Sequence, residues 1–156
     1  MKKRILVVGI IFIILDQLLK LLVKNNIALG VENYIIPHFF YITNTLNTGG
    51  AFSIFENNTS MLAIIGLLAI IVIIYYFLRN KETTKLEDIL YGILIGGIIG
   101  NLIDRLFNNG VIDYIGFIFG NYYYPVFNLA DIGIVSGIII LMFLEFRGGK
   151  NGNRSN

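Results

Sequence analysis

The sequence predicts an all-α integral membrane protein, in which four transmembrane helices carry a small extracytoplasmic part that contains β-strands. Three observations indicate this class. Of the 156 residues, 56% are hydrophobic and only 14% are charged, whereas a soluble domain has about 25% charged residues. Four long apolar segments recur along the chain. The basic residues gather at one end of those segments, which is typical of multi-pass proteins.

The four spans are predicted at about 5–23, 61–78, 88–104 and 130–146, in a single domain that occupies residues 1–156. A bilayer core of about 30 Å needs a helix of about 20 residues. Because lipid gives the backbone no hydrogen-bond partner, each span is predicted to be helical. The first span follows a basic start, as the apolar run of a signal peptide does. No small-residue cleavage site comes after it, so we predict a retained helix.

Positive charge predicts the orientation of the spans. Nine basic residues lie in the two terminal tails and between the second and third spans, and this side is predicted to be cytoplasmic. They are Lys2, Lys3, Arg4, Arg79, Lys81, Lys85, Arg147, Lys150 and Arg154. The opposite connections hold only Lys24 and Arg105. Both termini are therefore predicted to be cytoplasmic. The net charge of +2 reflects this topology, and no nucleic-acid partner is expected.

Two external segments, about 26–58 and 106–128, are more than linkers. The first contains the stretch 34–43, which is rich in β-forming residues, and is predicted to form a small strand-containing structure. The second carries eight aromatic residues. Two interpretations of these rings remain open: an anchor belt at the membrane interface, or a surface that meets a lipid-embedded ligand. The tail 147–156 is predicted to be disordered.

Four aspartates are the candidate functional residues, because ionisable groups inside membrane spans are costly and tend to be functional. Counting about 1.5 Å per residue from the cytoplasmic ends, Asp16 lies roughly 16 Å up, Asp104 roughly 22 Å and Asp131 roughly 20 Å. Asp113 lies between the last two spans. The four carboxyls are therefore predicted to gather in the outer half of the membrane.

Each aspartate also has a purely structural explanation. Asp16 precedes Lys20 by four residues, a spacing that pairs opposite charges on a helix. Asp104 adjoins Arg105 and could form a fixed ion pair with it. Asp131 follows Asn128 by three residues, as in a capping pair at the start of a helix.

Asp113 is the hardest of the four to explain by structure alone, because it lies in the apolar run 111–115, where a free carboxylate is expensive. A role in a turn is the structural alternative. Two close carboxyls share one proton, so an ionised one can activate water while the protonated one polarises a peptide carbonyl. Asp113 and Asp131 form the best such pair, since one connection can bring both to the membrane surface.

Composition excludes several other chemistries. The chain has no cysteine and a single histidine, His38, which excludes cysteine nucleophiles, cysteine-bound zinc and iron–sulfur clusters, and mechanisms with two imidazoles. A serine triad is poorly supported. Two other classes remain as alternatives: a small proton-coupled transporter with Asp16 and Asp104 as proton carriers, and a non-enzymatic anchor subunit.

Five blocks resemble, in order, the motifs of the lipoprotein signal peptidase (signal peptidase II) family. The blocks are Asp16-Gln17, Asn47-Thr48-Gly49-Gly50-Ala51-Phe52-Ser53, Gly96-Gly97-Ile98-Ile99-Gly100-Asn101-Leu102-Ile103-Asp104-Arg105, Val111-Ile112-Asp113-Tyr114 and Phe127-Asn128-Leu129-Ala130-Asp131-Ile132. The resemblance covers nearly the whole chain. Tyr114, where the family often has phenylalanine, is a mild variation.

This resemblance implies an aspartic endopeptidase of the bacterial plasma membrane that cuts diacylglyceryl-modified prolipoproteins just before the lipidated cysteine. Asp113 and Asp131 would form the catalytic dyad, near the outer face. The supporting or substrate-binding residues would be Asp16, Asn47, Gly49, Gly97, Asn101, Asp104, Arg105, Asn128 and Ala130. Segment 26–58 would be an external cradle. No metal or organic cofactor is expected, membrane lipid and prolipoprotein are the expected partners, and the protein is expected to be a monomer.

Glycines in the third span predict close packing. Gly92, Gly96 and Gly100 repeat at every fourth position, which lets two helices approach closely. Gly97 is predicted to line a narrow groove that would suit small residues near the cleavage site of the substrate.

Overall fold

A computed structural model describes residues 2–50, 55–56, 58–79 and 82–152 of the chain. Four helices and four strands follow one another along it. They are α1 (Lys3–Asn26), β1 (Glu32–Ile36), β2 (Phe40–Asn47), α2 (Thr59–Arg79), α3 (Lys85–Asn108), β3 (Val111–Phe119), β4 (Tyr122–Tyr123) and α4 (Leu129–Gly152).

Within the described residues, these four helices are each long and apolar enough to cross a membrane. The outer surfaces of the bundle are apolar. For example, Ile10, Ile71 and Phe143 are all more than half exposed. Such surfaces are stable in lipid and unstable in water. The structure therefore agrees with the four spans predicted from hydropathy.

The end of α4 differs from the predicted boundary. The helix continues to Gly152, so the disordered tail predicted for 147–156 is wrong for residues 147–152. Once a helix is formed, each further residue adds a backbone hydrogen bond at little cost, and the span propagates beyond its apolar part. Residues 153–156 lie outside the described part of the chain.

Helix α3 is the centre of the bundle and packs against the other three helices. Glycines allow the closest approach, to α1. A Cβ atom at Gly96 would lie 2.9 Å from the carbonyl oxygen of Gly9, and one at Gly100 would lie 2.5 Å from Asp16 Oδ2. Gly92 meets the side chain of Val8 in the same way. The predicted small-residue ladder is confirmed as the contact between α1 and α3.

A buried carboxylate, that of Asp88, joins the first turn of α3 to the start of α1. Asp88 is 2% exposed. Its Oδ2 accepts a hydrogen bond from Arg4 Nη1 at 3.1 Å, and its Oδ1 accepts one from Thr83 Oγ1 at 2.5 Å. Lys2 Nζ donates to the Thr83 carbonyl at 2.6 Å. These contacts place the basic start of α1 beside the first turn of α3, so the two helices run parallel.

The four strands form an antiparallel sheet in the order β1-β2-β3-β4. The sequence predicted strands only in segment 26–58, but β3 comes from segment 106–128. Its β-branched and aromatic residues fit a strand, although their pattern in the sequence indicated only a membrane or ligand surface. The antiparallel pairing of Thr45 with Asp113 and of Asn47 with Val111 joins the two external segments.

A tight reversal between α3 and β3 determines where Asp113 lies. Asn109 ends the helix in the left-handed conformation, with φ of 57°, which asparagine tolerates better than most residues. Strand β3 then starts at Val111, directly beside the end of α3. The carboxylate of Asp104, in the last turns of α3, accepts a hydrogen bond from the backbone N–H of Ile112 at 3.1 Å.

The close contact of α1 with α3 can be tested by adding one methyl group. Gly96→Ala should lower the free energy of unfolding by about 1–3 kcal/mol, because its Cβ would press on the backbone of Gly9. Gly66→Ala in α2 is the matched control, since its Cβ would meet Ile98 Cγ2 at an ordinary 3.6 Å. Thermal unfolding in detergent measures both variants. Equal stability of the two would contradict this packing.

Candidate active site

A cavity of about 1060 Å³ opens between the sheet and helices α3 and α4. Both Asp113, on β3, and Asp131, in the first turn of α4, line it. Its wall is mainly apolar. The lining residues include the aromatic side chains Phe117, Phe119, Tyr124 and Phe127, and, along α4, Ile132, Val135 and Ile139.

Asp131 is held by its own helix end and by α3. The backbone N–H of Asn128 donates to Asp131 Oδ2 at 3.1 Å, and the backbone N–H of Asp131 donates to Asn128 Oδ1 at 3.0 Å. This reciprocal pair is the capping arrangement that the sequence spacing predicted. Asn101 Nδ2 adds a hydrogen bond to Asp131 Oδ1 at 2.8 Å. Both carboxylate oxygens of Asp131 therefore have amide donors, and capping does not exclude a chemical role.

Asp113 is buried, with 3% of its surface exposed. Its Oδ2 accepts a hydrogen bond from Asn47 Nδ2 at 2.8 Å, and its Oδ1 accepts one from Asn128 Nδ2 at 2.6 Å. Gly49 orients the first of these amides, because its backbone N–H donates to Asn47 Oδ1 at 2.9 Å. The turn role that the sequence left open for Asp113 is wrong, since the residue lies within a nine-residue strand.

Asn128 joins the two carboxyls. It is fully buried, its backbone N–H contacts Asp131, and its side-chain amide contacts Asp113. A single residue therefore contacts both aspartates. The two carboxyl groups are close enough for the negative charge of Asp131 to affect the protonation of Asp113.

The pKa of Asp113 is raised from its ordinary value of about 3.9 to about 7. Burial is the larger cause and the charge of Asp131 is the second, whereas the amides of Asn47 and Asn128 oppose the rise. A raised pKa means that the folded protein holds this proton more tightly than the unfolded chain does. The resulting stabilisation is complete below about pH 4 and is lost as the pH rises through about 7.

A buried lysine holds the remaining two aspartates. Lys20 Nζ lies 2.8 Å from Asp16 Oδ2 and 3.0 Å from Asp104 Oδ2. The pairing predicted for Asp16 is confirmed. The pairing of Asp104 with Arg105 is wrong: neighbouring residues on a helix point in different directions, and the salt-bridge partner of Asp104 is on α1.

Arg105 instead reaches the cavity beside the two aspartates of the site. Its guanidinium donates to the Asn101 carbonyl at 3.3 Å and to the Gly49 carbonyl at 3.4 Å. Its buried Nε has no hydrogen-bond partner among the residues that the structure describes. The positive charge lies near enough to interact with both Asp113 and Asp131.

Two predicted support residues lie elsewhere. A Cβ atom at Gly97 would lie 2.7 Å from the carbonyl oxygen of Ala130 and 3.0 Å from Ile134 Cγ1. Gly97 and the fully buried Ala130 therefore form the contact between α3 and α4. The prediction that Gly97 lines a substrate groove is wrong, because the backbone of α4 occupies that space. Residues 51–53 of the second sequence block lie outside the described residues.

Lys20 is the residue whose role in the site the sequence missed. Its four-residue spacing from Asp16 was the only signal, and it gave no hint of the contact with Asp104. In the described part of the chain, no three His, Cys, Asp or Glu side chains converge as metal ligands would. The cavity holds two carboxyls, each hydrogen-bonded to amide groups, beside a guanidinium.

Comparison with known proteins identifies the family of this chain. The family described as signal peptidase (SPase) II matches residues 8–147. The chain belongs to the signal peptidase II family. It is 38% identical to the lipoprotein signal peptidase of Bacillus pumilus (strain SAFR-032), with 96% of each chain covered. It is 41% identical to that of Clostridium novyi (strain NT), over 88% of this chain and 94% of the relative.

Solved structures support the fold of this signal peptidase II family member. One bacterial membrane enzyme, determined by the in meso method at 2.3 Å resolution, has a TM-score of 0.85 at 26% identity, with 94% of this chain and 90% of that chain covered. Another, at 1.9 Å resolution, has a TM-score of 0.78 at 27% identity, with 90% of each chain covered. The protein is therefore a protease-family, multi-pass membrane protein.

The environment of Asp113 can be tested by titration. The infrared carbonyl band of its protonated carboxyl, identified by its absence in Asp113→Asn, should disappear with a midpoint near pH 7. Asn47→Ala should move the midpoint to higher pH, because the Asn47 amide stabilises the ionised form.

Asn44→Ala is the control for this titration. Asn44 lies on the same strand, but its amide donates to the Ile27 carbonyl at 2.8 Å, so the midpoint should not move. A midpoint near pH 4 in the wild type, or a downward shift in Asn47→Ala, would contradict the described environment.

Proposed function

We propose that the protein is an intramembrane aspartic endopeptidase that removes signal peptides from diacylglyceryl-modified prolipoproteins, cutting before the lipidated cysteine. The observation that carries this proposal is the pair Asp113 and Asp131, joined through Asn128 at the wall of an apolar cavity. Membership of the signal peptidase II family supplies the substrate class. The two relatives are named lipoprotein signal peptidase.

The pair supplies acid and base in one step. One carboxyl is ionised and takes a proton from water, whose oxygen attacks the scissile carbonyl. The other is protonated and donates to the carbonyl oxygen as charge develops there. Collapse of the tetrahedral intermediate breaks the C–N bond, and a carboxyl proton passes to the leaving amine. The products are a carboxylic acid and an amine, so the added water is fully accounted for.

The raised pKa of Asp113 supports this assignment. Near neutral pH the Asp113 carboxyl is close to half-protonated, so a carboxyl proton is available for the reaction. The proton belongs to the pair rather than to one residue. Arg105 lines the same cavity and its Nε has no hydrogen-bond partner within the described residues, so its guanidinium is suited to hold a carbonyl group of the substrate backbone.

The shape of the cavity suits a lipidated peptide. Its apolar wall continues from Asp131 along one face of α4, past Ile132, Val135 and Ile139. The side chains of Val135 and Ile139 are more than half exposed, so an acyl chain or an apolar helix can lie against them. Phe117, Phe119 and Phe127 form a stacked cluster at the sheet end of the cavity. The ligand-facing interpretation of these rings is the one we propose.

The proposed location is the bacterial plasma membrane, with both termini cytoplasmic and the cavity near the outer face. Charge supports this orientation, since Lys2 and Arg4 lie together at the end of the bundle opposite the sheet. The sheet and the cavity then meet the outer headgroup region. The protein is proposed to act as a monomer with membrane lipid and prolipoprotein as partners.

The transporter alternative has no support from the comparisons. Its proposed proton carriers, Asp16 and Asp104, both form ion pairs with Lys20. These ion pairs account for both carboxylates without a proton-carrying role.

Substitution of either aspartate tests the proposed chemistry. Asp113→Asn and Asp131→Asn should each lower cleavage of a diacylglyceryl-modified prolipoprotein by at least about 10³-fold, since each removes half of the acid–base pair. Cleavage by the purified protein in lipid is followed on gels, with thermal unfolding as the check on folding.

Glu32→Gln is the matched control, because Glu32 is an exposed carboxylate on β1 of the same sheet. It should cleave at the wild-type rate, and unlipidated prolipoprotein should remain uncut by every variant. Retained cleavage in folded Asp113→Asn and Asp131→Asn would overturn the aspartic mechanism. Rapid cleavage of the unlipidated form would overturn the substrate class.

A further inference from the structure

Lys20 occupies an unusual position for a lysine. It is 1% exposed, and its Nζ contacts three acceptors on two helices. These are Asp16 Oδ2 at 2.8 Å, Asp104 Oδ2 at 3.0 Å and Asn101 Oδ1 at 2.9 Å. An ammonium group has three N–H donors, so every donor of Lys20 is used. Burying a lysine is costly, and neutralising Asp16 alone would not require the other two contacts.

The carboxylates of Asp16 and Asp104 each accept a backbone hydrogen bond from the residue that precedes one aspartate of the proposed dyad. Asp16 Oδ1 accepts a hydrogen bond from the backbone N–H of Ala130 at 3.0 Å, and Ala130 immediately precedes Asp131. Asp104 Oδ2 accepts one from the backbone N–H of Ile112 at 3.1 Å, and Ile112 immediately precedes Asp113. Lys20 is therefore two contacts away from the backbone beside each proposed catalytic aspartate.

The third contact determines which way an amide points. Asn101 Oδ1 accepts from Lys20 Nζ and, at 3.2 Å, from Asn128 Nδ2. An amide oxygen turned toward these donors leaves Nδ2 facing Asp131 Oδ1, at 2.8 Å. A rotated amide would place its N–H groups against an ammonium group and its oxygen against a carboxylate. Lys20 thus excludes the orientation in which Asn101 would repel Asp131.

We propose that Lys20 is a positioning residue for the reaction, because its single ammonium group holds the backbone beside both aspartates and orients the Asn101 amide. This inference rests on the proposed function. A purely structural lysine would neutralise buried charge and affect only the amount of folded protein. A positioning lysine also affects the rate at each active molecule and the protonation of the dyad.

The direct test is Lys20→Met, which keeps the length of the apolar side chain and removes the ammonium group. Lys24→Met is the matched control, one turn further along α1, where the lysine is exposed and contacts Asn108 Oδ1. Lys20→Met should lower kcat by about 10²-fold with KM within about twofold of wild type. Lys24→Met should change neither.

A second variant separates positioning from charge balance. Lys20→Met leaves two buried carboxylates without a cation, but Lys20→Met combined with Asp16→Asn removes one charge of each sign and keeps the net charge of the cluster. If Lys20 only balances charge, the double variant should regain both stability and kcat. If it positions the dyad, the double variant should regain stability while kcat stays below that of Asp16→Asn alone.

Infrared titration of Asp113 gives a readout that does not depend on cleavage. The charged groups around this carboxyl are Asp131 from α4, Arg105 from α3 and Lys20 from α1. Removing Lys20 takes away a charge that favours ionisation, so the midpoint should move to higher pH in Lys20→Met and stay unchanged in Lys24→Met.

The proposal is overturned if the folded double variant cleaves within about threefold of wild type, or if the Asp113 midpoint does not move. It is also overturned if neither Lys20 variant folds while Lys24→Met does, since that result would assign Lys20 to the stability of the fold. If the wild type itself does not cleave, the proposed function fails, and the titration still decides whether Lys20 acts on Asp113.

Discussion

A buried charge needs a partner inside the protein when the surroundings are apolar, and the polar interior of this chain follows from that constraint. The ammonium group of Lys20 is the buried partner of both the Asp16 and the Asp104 carboxylate. Because both carboxylates also bind the backbone of neighbouring segments, the ion pairs connect α1, α3, β3 and the start of α4. The same groups that satisfy the charge therefore determine the geometry of the site.

The close packing of α1 on α3 makes these contacts reachable. Gly96 and Gly100 remove the side chains that would hold the two helices apart, so the Asp16 carboxylate sits directly against the α3 backbone. Gly97 brings α4 equally near on another face of α3. Small residues on two faces of one helix thus bring four separated carboxyls into one region.

The sequence predicted the features that depend on local pattern. Hydropathy alone located four helices, and counting residues along them placed Asp16, Asp104 and Asp131 at similar depth. The spacing of Asn128 and Asp131 predicted their mutual capping. What it could not predict depends on tertiary contact. The role of Gly97 was misassigned because the residue that packs on it is in another helix. The contact of Lys20 with a second carboxylate was missed for the same reason. Strand β3 was missed because the aromatic residues of its segment suggested a membrane anchor or a ligand surface.

Asp113 and Asp131 are proposed to act together on one scissile bond. A crystal structure with a diacylglyceryl-modified signal peptide analogue, in which a hydroxyethylene group replaces the scissile amide, tests it most directly. We expect the hydroxyl oxygen to lie within about 3 Å of a carboxylate oxygen of each aspartate, with the acyl chains along the α4 wall of the cavity. A hydroxyl bound away from either carboxyl would contradict it.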